Sequence, residues 1–202
     1  MPRVRILFSK KGMSVFVPHV DLPILFTRAA RRAGLAMEIT QGFSPHPRTA
    51  LGPPLPVGVV GLREPAEFWF ADWEDGCLDA WRARMPEGIE ILEARAVAGA
   101  SLNKLCAAAS YIIEPMSKDA SGIEGALTAE LAPAGLLLSV ASAGSEVAVS
   151  VSDLERSGAS RMVKALIAAS LISGWRDLSI VRTAVGGWDE EERKVTPIAE
   201  DF

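Results

Sequence analysis

The 202-residue chain is poor in the residues that usually carry covalent or metal chemistry. It has two cysteines, Cys77 and Cys106, two histidines, His19 and His46, and one tyrosine. Two cysteines without Cys-x-x-Cys spacing argue against a disulfide framework and against a four-cysteine zinc or iron–sulfur site. No apolar run approaches the ~18 residues that cross a bilayer, and the N-terminus, MPRVRILFSKKG, lacks the apolar segment of a secretory signal. A reduced, cytoplasmic protein with no membrane role is therefore expected. The sequence has no phosphate-binding loop, Gly-x-Gly-x-x-Gly, serine elbow or His-Glu-x-x-His, so no cofactor or metal is expected.

Apolar residues make up 49% of the chain and charged residues 23%, enough to build a sizeable core and to exclude a mostly disordered chain. The net charge of −4 hides an asymmetry. Residues 1–63 hold nine Lys/Arg against two acids, Asp21 and Glu38, a net of +7; the remainder holds twelve against twenty-three, a net of −11. A basic segment of this kind points either to an anionic partner or to docking against an acidic part of the same molecule.

Hydrophobic spacing predicts strands over 3–8, 35–39, 67–73 and 89–97, with helices over 21–33 and 75–85. Leu22, Leu25, Phe26, Ala29, Ala30 and Ala33 share one face of the first helix, with Asp21 as a possible cap, Pro23 in the first turn and Gly34 at the end. The second half repeats the order. Strands are predicted over 109–114, 135–141, 146–151 and 178–185, and helices from Ser121, with a capping-box spacing to Glu124, and over 160–171. The order β-α-β-β-α-β thus occurs twice, which predicts an α+β chain of two tandem ferredoxin-like units, 1–99 and 107–186. A single mixed sheet with helices on one face is the second arrangement. Residues 187–202, with four consecutive acids, read as a surface or mobile tail.

The halves differ at one point. Where the second unit turns with four residues, the first spends about 26, in a Pro/Gly-rich loop over 40–65; loops of such length in compact domains are uncommon and usually functional. His46 lies in it, between Pro45 and Pro47, and His19 lies just before the first helix. The two imidazoles are candidates for general acid and base, or with Asp21 for metal ligands; the plainer reading of each is a turn histidine bonded to backbone. Arg28, Arg31 and Arg32 share a helix face away from the apolar stripe. With Lys10, Lys11, Arg48 and Arg63 they would form a phosphate-scale patch. Phe43 is placed to stack a base or to anchor the loop to the core.

The runs FSKKGMSVFVPHVDL, RAARRAGL and QGFSPHPRTALGPPLPVGV, spanning residues 8–59, resemble the radical SAM-linked protein family, a bacterial domain found alone or fused behind a radical SAM enzyme. His19, Asp21, Gly42, Phe43, Ser44, Pro45, His46, Pro47 and Arg48 match its motifs, while Pro18 stands where the family has Ser. The radical SAM cluster motif Cys-x3-Cys-x2-Cys is absent, so the resemblance implies a partner to such an enzyme rather than the enzyme itself. The expectation is a non-catalytic accessory domain that binds RNA, with Lys10, Arg28, Arg32 and Arg48 on phosphates and Phe43, Ser44 and His46 at a base or ribose. The alternatives are a metal-independent ribonuclease using His19 and His46, and a protein-interaction module.

Overall fold

The structure, a computed structural model, describes residues 1–198. These form nine strands: β1 (Arg3–Lys10), β2 (Thr49–Leu51), β3 (Val60–Trp69), β4 (Ile89–Val97), β5 (Ala108–Pro115), β6 (Leu137–Ala143), β7 (Glu146–Ser152), β8 (Leu178–Asp189) and β9 (Lys194–Pro197). The helices are α1 (Leu22–Arg32), α2 (Cys77–Arg82), α3 (Leu102–Leu105), α4 (Ile123–Leu131), α5 (Leu154–Ser157) and α6 (Ala159–Ala168). All nine strands join one sheet in the order β4-β1-β3-β8-β5-β7-β6, with β2 on β3 and β9 on β8. Every pairing among these strands is antiparallel except β3 with β8, where Val60 faces Val181 and Gly61 faces Arg182 in parallel register. The expectation of tandem ferredoxin-like units thus reduces to a mixed α+β chain built on a single, mostly antiparallel sheet.

Two apolar clusters lie under the helices. The first joins Val4, Ile6 and Phe8 of β1, Phe68 of β3 and Ile91 of β4 to Leu22, Phe26 and Ala30 of α1 and Trp81 of α2. Its aromatic rings meet mostly edge to face: Phe26 with Phe8 at 4.9 Å between centroids, and Phe68 with Trp81 at 5.0 Å. Such pairs add about 0.5–1.5 kcal/mol each beyond buried area. Trp81 also donates its indole N–H to the Phe26 carbonyl at 3.1 Å, which ties α2 to α1. The second cluster joins Tyr111 and Ile113 of β5 and Val147 and Val149 of β7 to Ile123 and Leu127 of α4 and Met162 and Leu166 of α6.

Several local expectations change. Asp21 occupies the N-cap of α1 without a side-chain capping bond, because the turn His19–Asp21 already leads helically into it. Residues 35–39 form only isolated bridges, Met37 with Phe70 and Ile39 with Pro47. Ser121 caps nothing: Gly122 takes the N-cap at φ +81°, and Glu124 instead accepts from the Ser142 hydroxyl at 2.7 Å. The acidic tail is not loose over 187–197, where β9 pairs with the end of β8 and buries Val195 beside Ala184. Residues 199–202 of that tail lie outside the described residues.

Candidate functional site

The long loop divides into an exposed tip and a strap. At the tip, residues 38–40 run antiparallel to 46–48: Thr40 N–H donates to the His46 carbonyl and Arg48 N–H to the Glu38 carbonyl, both at 2.8 Å. His46 closes the turn from inside, its Nδ1 lying 2.8 Å from the Ser44 carbonyl and 3.3 Å from the Thr40 hydroxyl. Pro45 and Pro47 stiffen the same turn by fixing φ, and Gly42 takes φ +148°, a conformation that disfavours side chains. Arg48 is held at the base by Glu38 at 3.0 Å and by the face of Trp69, 4.4 Å from the ring centroid. With its neighbours bound to one another, Phe43 anchors nothing and stands fully exposed.

The strap, residues 52–58, crosses the seam between the two clusters. Leu55 and Val59 are buried in the second cluster, and Gly58 N–H donates to the Val15 carbonyl at 2.9 Å. Beneath it lies a buried polar group drawn from both halves. Arg182, 1% exposed, donates Nε to Glu64 at 2.9 Å, makes a second bond from Nη2 to the same carboxylate, and donates to the carbonyls of Pro54 (3.1 Å) and Pro53 (2.8 Å). Burial opposes charge on Arg182, yet the Glu64 carboxylate outweighs it and raises the guanidinium pKa. His19 Nδ1 accepts a long bond from the Leu55 N–H at 3.4 Å. Burial lowers the His19 pKa, and Arg182 lowers it further. Burial also pushes the Cys106 thiol up to about 12, so it is no ready nucleophile.

Lys10 corrects one expectation. It is 0% exposed, and its Nζ has no hydrogen-bond partner among the described residues. It ends β1 on the inward face near Glu64, so it cannot meet a phosphate at the surface. Burial lowers its pKa against the pull of Glu64. Arg63 is drawn to Glu93 at 2.9 Å. The expected basic patch contracts to Arg28, Arg31 and Arg32, all exposed on α1, with Lys11 beyond the end of β1.

The two histidines share no hydrogen-bond partner among the described residues. His19 belongs to the strap, His46 to the tip. Asp21 lies in a groove along α1 with Arg28 and Arg32, and among the described residues no group of three or more His, Cys, Asp or Glu is placed to hold a metal. His19, Asp21 and His46 form no such group among the described residues. Sequence reasoning missed Glu64 and Arg182. An acid inside a predicted loop and an arginine inside an apolar strand were the available signals, but nothing in the sequence pairs residues 118 positions apart. It also missed a broad groove of about 870 Å³, where Pro54 and Pro56 of the strap face Arg156, Arg161 and Lys164. Two of these bases are already paired, Arg161 with Glu130 and Arg156 with Asp153.

No curated protein matches the chain. Among solved structures it is similar to the regulatory subunit of aspartate kinase from Thermus thermophilus, at 14% identity and TM-score 0.27, covering 83% of this chain and 90% of that one. It is similar as well to a microcompartments protein from Desulfitobacterium hafniense DCB, at 12% identity and TM-score 0.27, covering 96% and 99%. Likenesses at this level say nothing about what the chain binds. The family model whose description reads "Uncharacterized protein conserved in bacteria (DUF2344)" matches residues 3–165, most of the sheet together with the tip and the strap, and the chain belongs to that family.

Proposed function

We propose that the chain is a non-catalytic accessory domain that binds RNA through the tip of its long loop and works beside a radical SAM enzyme. The observation that carries the RNA part is Phe43, a fully exposed aromatic ring on a turn cross-braced by His46, Thr40 and Arg48. Leaving a phenyl ring in water forgoes the ~1.5–3 kcal/mol that burial would contribute. Carried on a braced turn, it is a ready stacking platform, and base stacking on such a ring is worth about 1–3 kcal/mol. The Arg28, Arg31 and Arg32 face supports the reading as a source of phosphate contacts. The enzyme class rests on the resemblance of residues 8–59. The finer reading of the fold, two ferredoxin-like units fused edge to edge, is supported by strand order: β4-β1-β3-β2 and β8-β5-β7-β6 are the same arrangement.

Binding of the full chain to total cellular RNA at two salt concentrations, with sequencing of the retained species, tests the proposal. Salt-sensitive retention of a few intact RNAs is expected, weakened about fivefold or more by Phe43→Ala. Replacing Arg28 and Arg32 should flatten the salt slope by about one unit for each phosphate the variant no longer neutralises. Failure to retain RNA at low salt overturns the reading. Cut products that vanish with His46→Ala replace it with a ribonuclease.

A further inference from the structure

A second surface is built differently from the tip. Four large aliphatic or aromatic side chains between positions 13 and 24 stand largely in solvent: Met13 (82% exposed), Phe16 (59%), Val20 (77%) and Ile24 (51%). Their exposure follows from the local backbone. The turns Gly12–Phe16 and His19–Asp21 are short and tight, and bury only Ser14 and Val15 of their residues. Ser14 pins the first turn to the start of β4 by donating to the Glu87 carbonyl at 2.6 Å. The surface continues into a groove of about 450 Å³ between α1 and Pro86, with Val17, Ile24 and Leu25 as its apolar wall. Asp21 lies at one end and Arg28 and Arg32 at the other, one helical turn apart on α1.

Charge decides which partner fits. Among the described residues no ion pair engages Arg28, Arg31 or Arg32; Arg32 donates only to the Arg84 carbonyl, at 2.7 Å. Three uncompensated guanidinium groups within five residues of one helix repel one another slightly and favour carboxylates that arrive with the same one-turn spacing. The wall of Val17, Ile24 and Leu25 offers no π-face on which a base could stack, and Phe16 lies outside the groove. Apolar side chains at one-turn spacing lie well in such a groove when they come from an amphipathic helix. We infer that the groove along α1 docks an acidic amphipathic helix of a partner protein. Its apolar residues meet Val17, Ile24 and Leu25, and its carboxylates meet Arg28 and Arg32. This site shares Arg28 and Arg32 with the proposed RNA surface but not Phe43, so the two readings are told apart by Ile24 and Phe43, each of which belongs to one site alone.

The experiment is selection of a displayed random-peptide library on the full chain, followed by fluorescence anisotropy of the enriched peptides. Enriched sequences are expected to carry apolar residues at i, i+3, i+4 and i+7 with Asp or Glu between them. Ile24→Glu should weaken them roughly tenfold or more. Arg28→Glu with Arg32→Glu should weaken them similarly and bind instead the same peptides remade with Lys in place of the acids. Phe43→Ala should leave peptide affinity unchanged whatever it does to RNA. Ile24, Arg28 and Arg32 are exposed, so circular dichroism should show all variants folded. The inference is overturned if no peptide is enriched, if enriched peptides lack acids, or if they are indifferent to Ile24→Glu. It is also overturned if Ile24→Glu instead dissolves a dimer of the chain or abolishes RNA binding in the absence of any peptide ligand.

Discussion

Lys10 and His19 are the residues whose chemistry departs furthest from their sequence appearance. A buried ammonium with no hydrogen-bond partner costs stability, and Arg182 already satisfies the Glu64 carboxylate. Lys10→Met should therefore raise stability by about 1–3 kcal/mol, read as a higher urea midpoint; a fall would show that Lys10 helps to hold Glu64. His19 makes stability depend on pH. Its folded-state pKa lies below the ordinary imidazole value of about 6.5. As pH falls, the unfolded chain takes up this proton before the folded one. The contribution is therefore fully present above about pH 6.5 and declines as pH falls below that toward the depressed folded value. Urea midpoints between pH 8 and pH 5 should show the decline, and His19→Gln, which cannot titrate there, should flatten it. Neither effect is legible in the sequence. Lys10 ends an alternating strand in a Lys-Lys-Gly run that reads as a turn, and its burial comes with the pairing of β1 to β3 and β4 on either side.

At the scale of elements, period and punctuation carry the long segments. The α1 stripe of Leu22, Phe26, Ala29 and Ala30 is buried as its spacing requires, and β4 spans Ile89–Val97 as its pattern predicts. Elements that depend on a close backbone approach leave no such trace. The hairpin of β8 and β9 is one. A Cβ on Gly186 would stand 1.9 Å from the Thr196 carbonyl oxygen, whereas one on Gly187 would meet nothing within 4 Å. Gly186→Ala should therefore detach β9 and abolish amide-exchange protection at residues 194–196, while Gly187→Ala should leave that protection in place. The tip is legible in part. Its prolines and glycine announce a rigid turn, but that His46 braces the turn from inside and Phe43 points outward follows only from the pairing of residues 38–40 with 46–48.

At the scale of the molecule, the halves meet along a short parallel seam of two paired positions, Val60 with Val181 and Gly61 with Arg182. Arg182 extends that seam by binding Glu64 and the strap carbonyls of Pro53 and Pro54. The native chain should unfold in one cooperative transition. Arg182→Met leaves the Glu64 carboxylate buried and unpaired, which costs about 3–5 kcal/mol. It should separate the transition into two, observed as non-coincident curves for tryptophan fluorescence, weighted toward the first half by Trp69, Trp73 and Trp81 against Trp175 and Trp188, and for far-UV dichroism. A single coincident transition in that variant would show that the sheet alone couples the halves. The mixed α+β character was visible in the sequence; the seam was not, because strand periodicity does not say which edges meet.

The pairing of Glu64 with Arg182 also sets an order of events during synthesis. The two residues are 118 positions apart, so at 5–20 residues per second the acid leaves the peptidyl-transferase centre roughly 6–24 s before its partner is made. Through that interval β1, β3 and β4 can assemble, but the middle of β3 offers an acid with no guanidinium to receive it. A nascent or prematurely ended chain therefore carries a charged, open edge that only the late-arriving β8 can close. The same arginine that joins the two halves thus times the closing of the sheet.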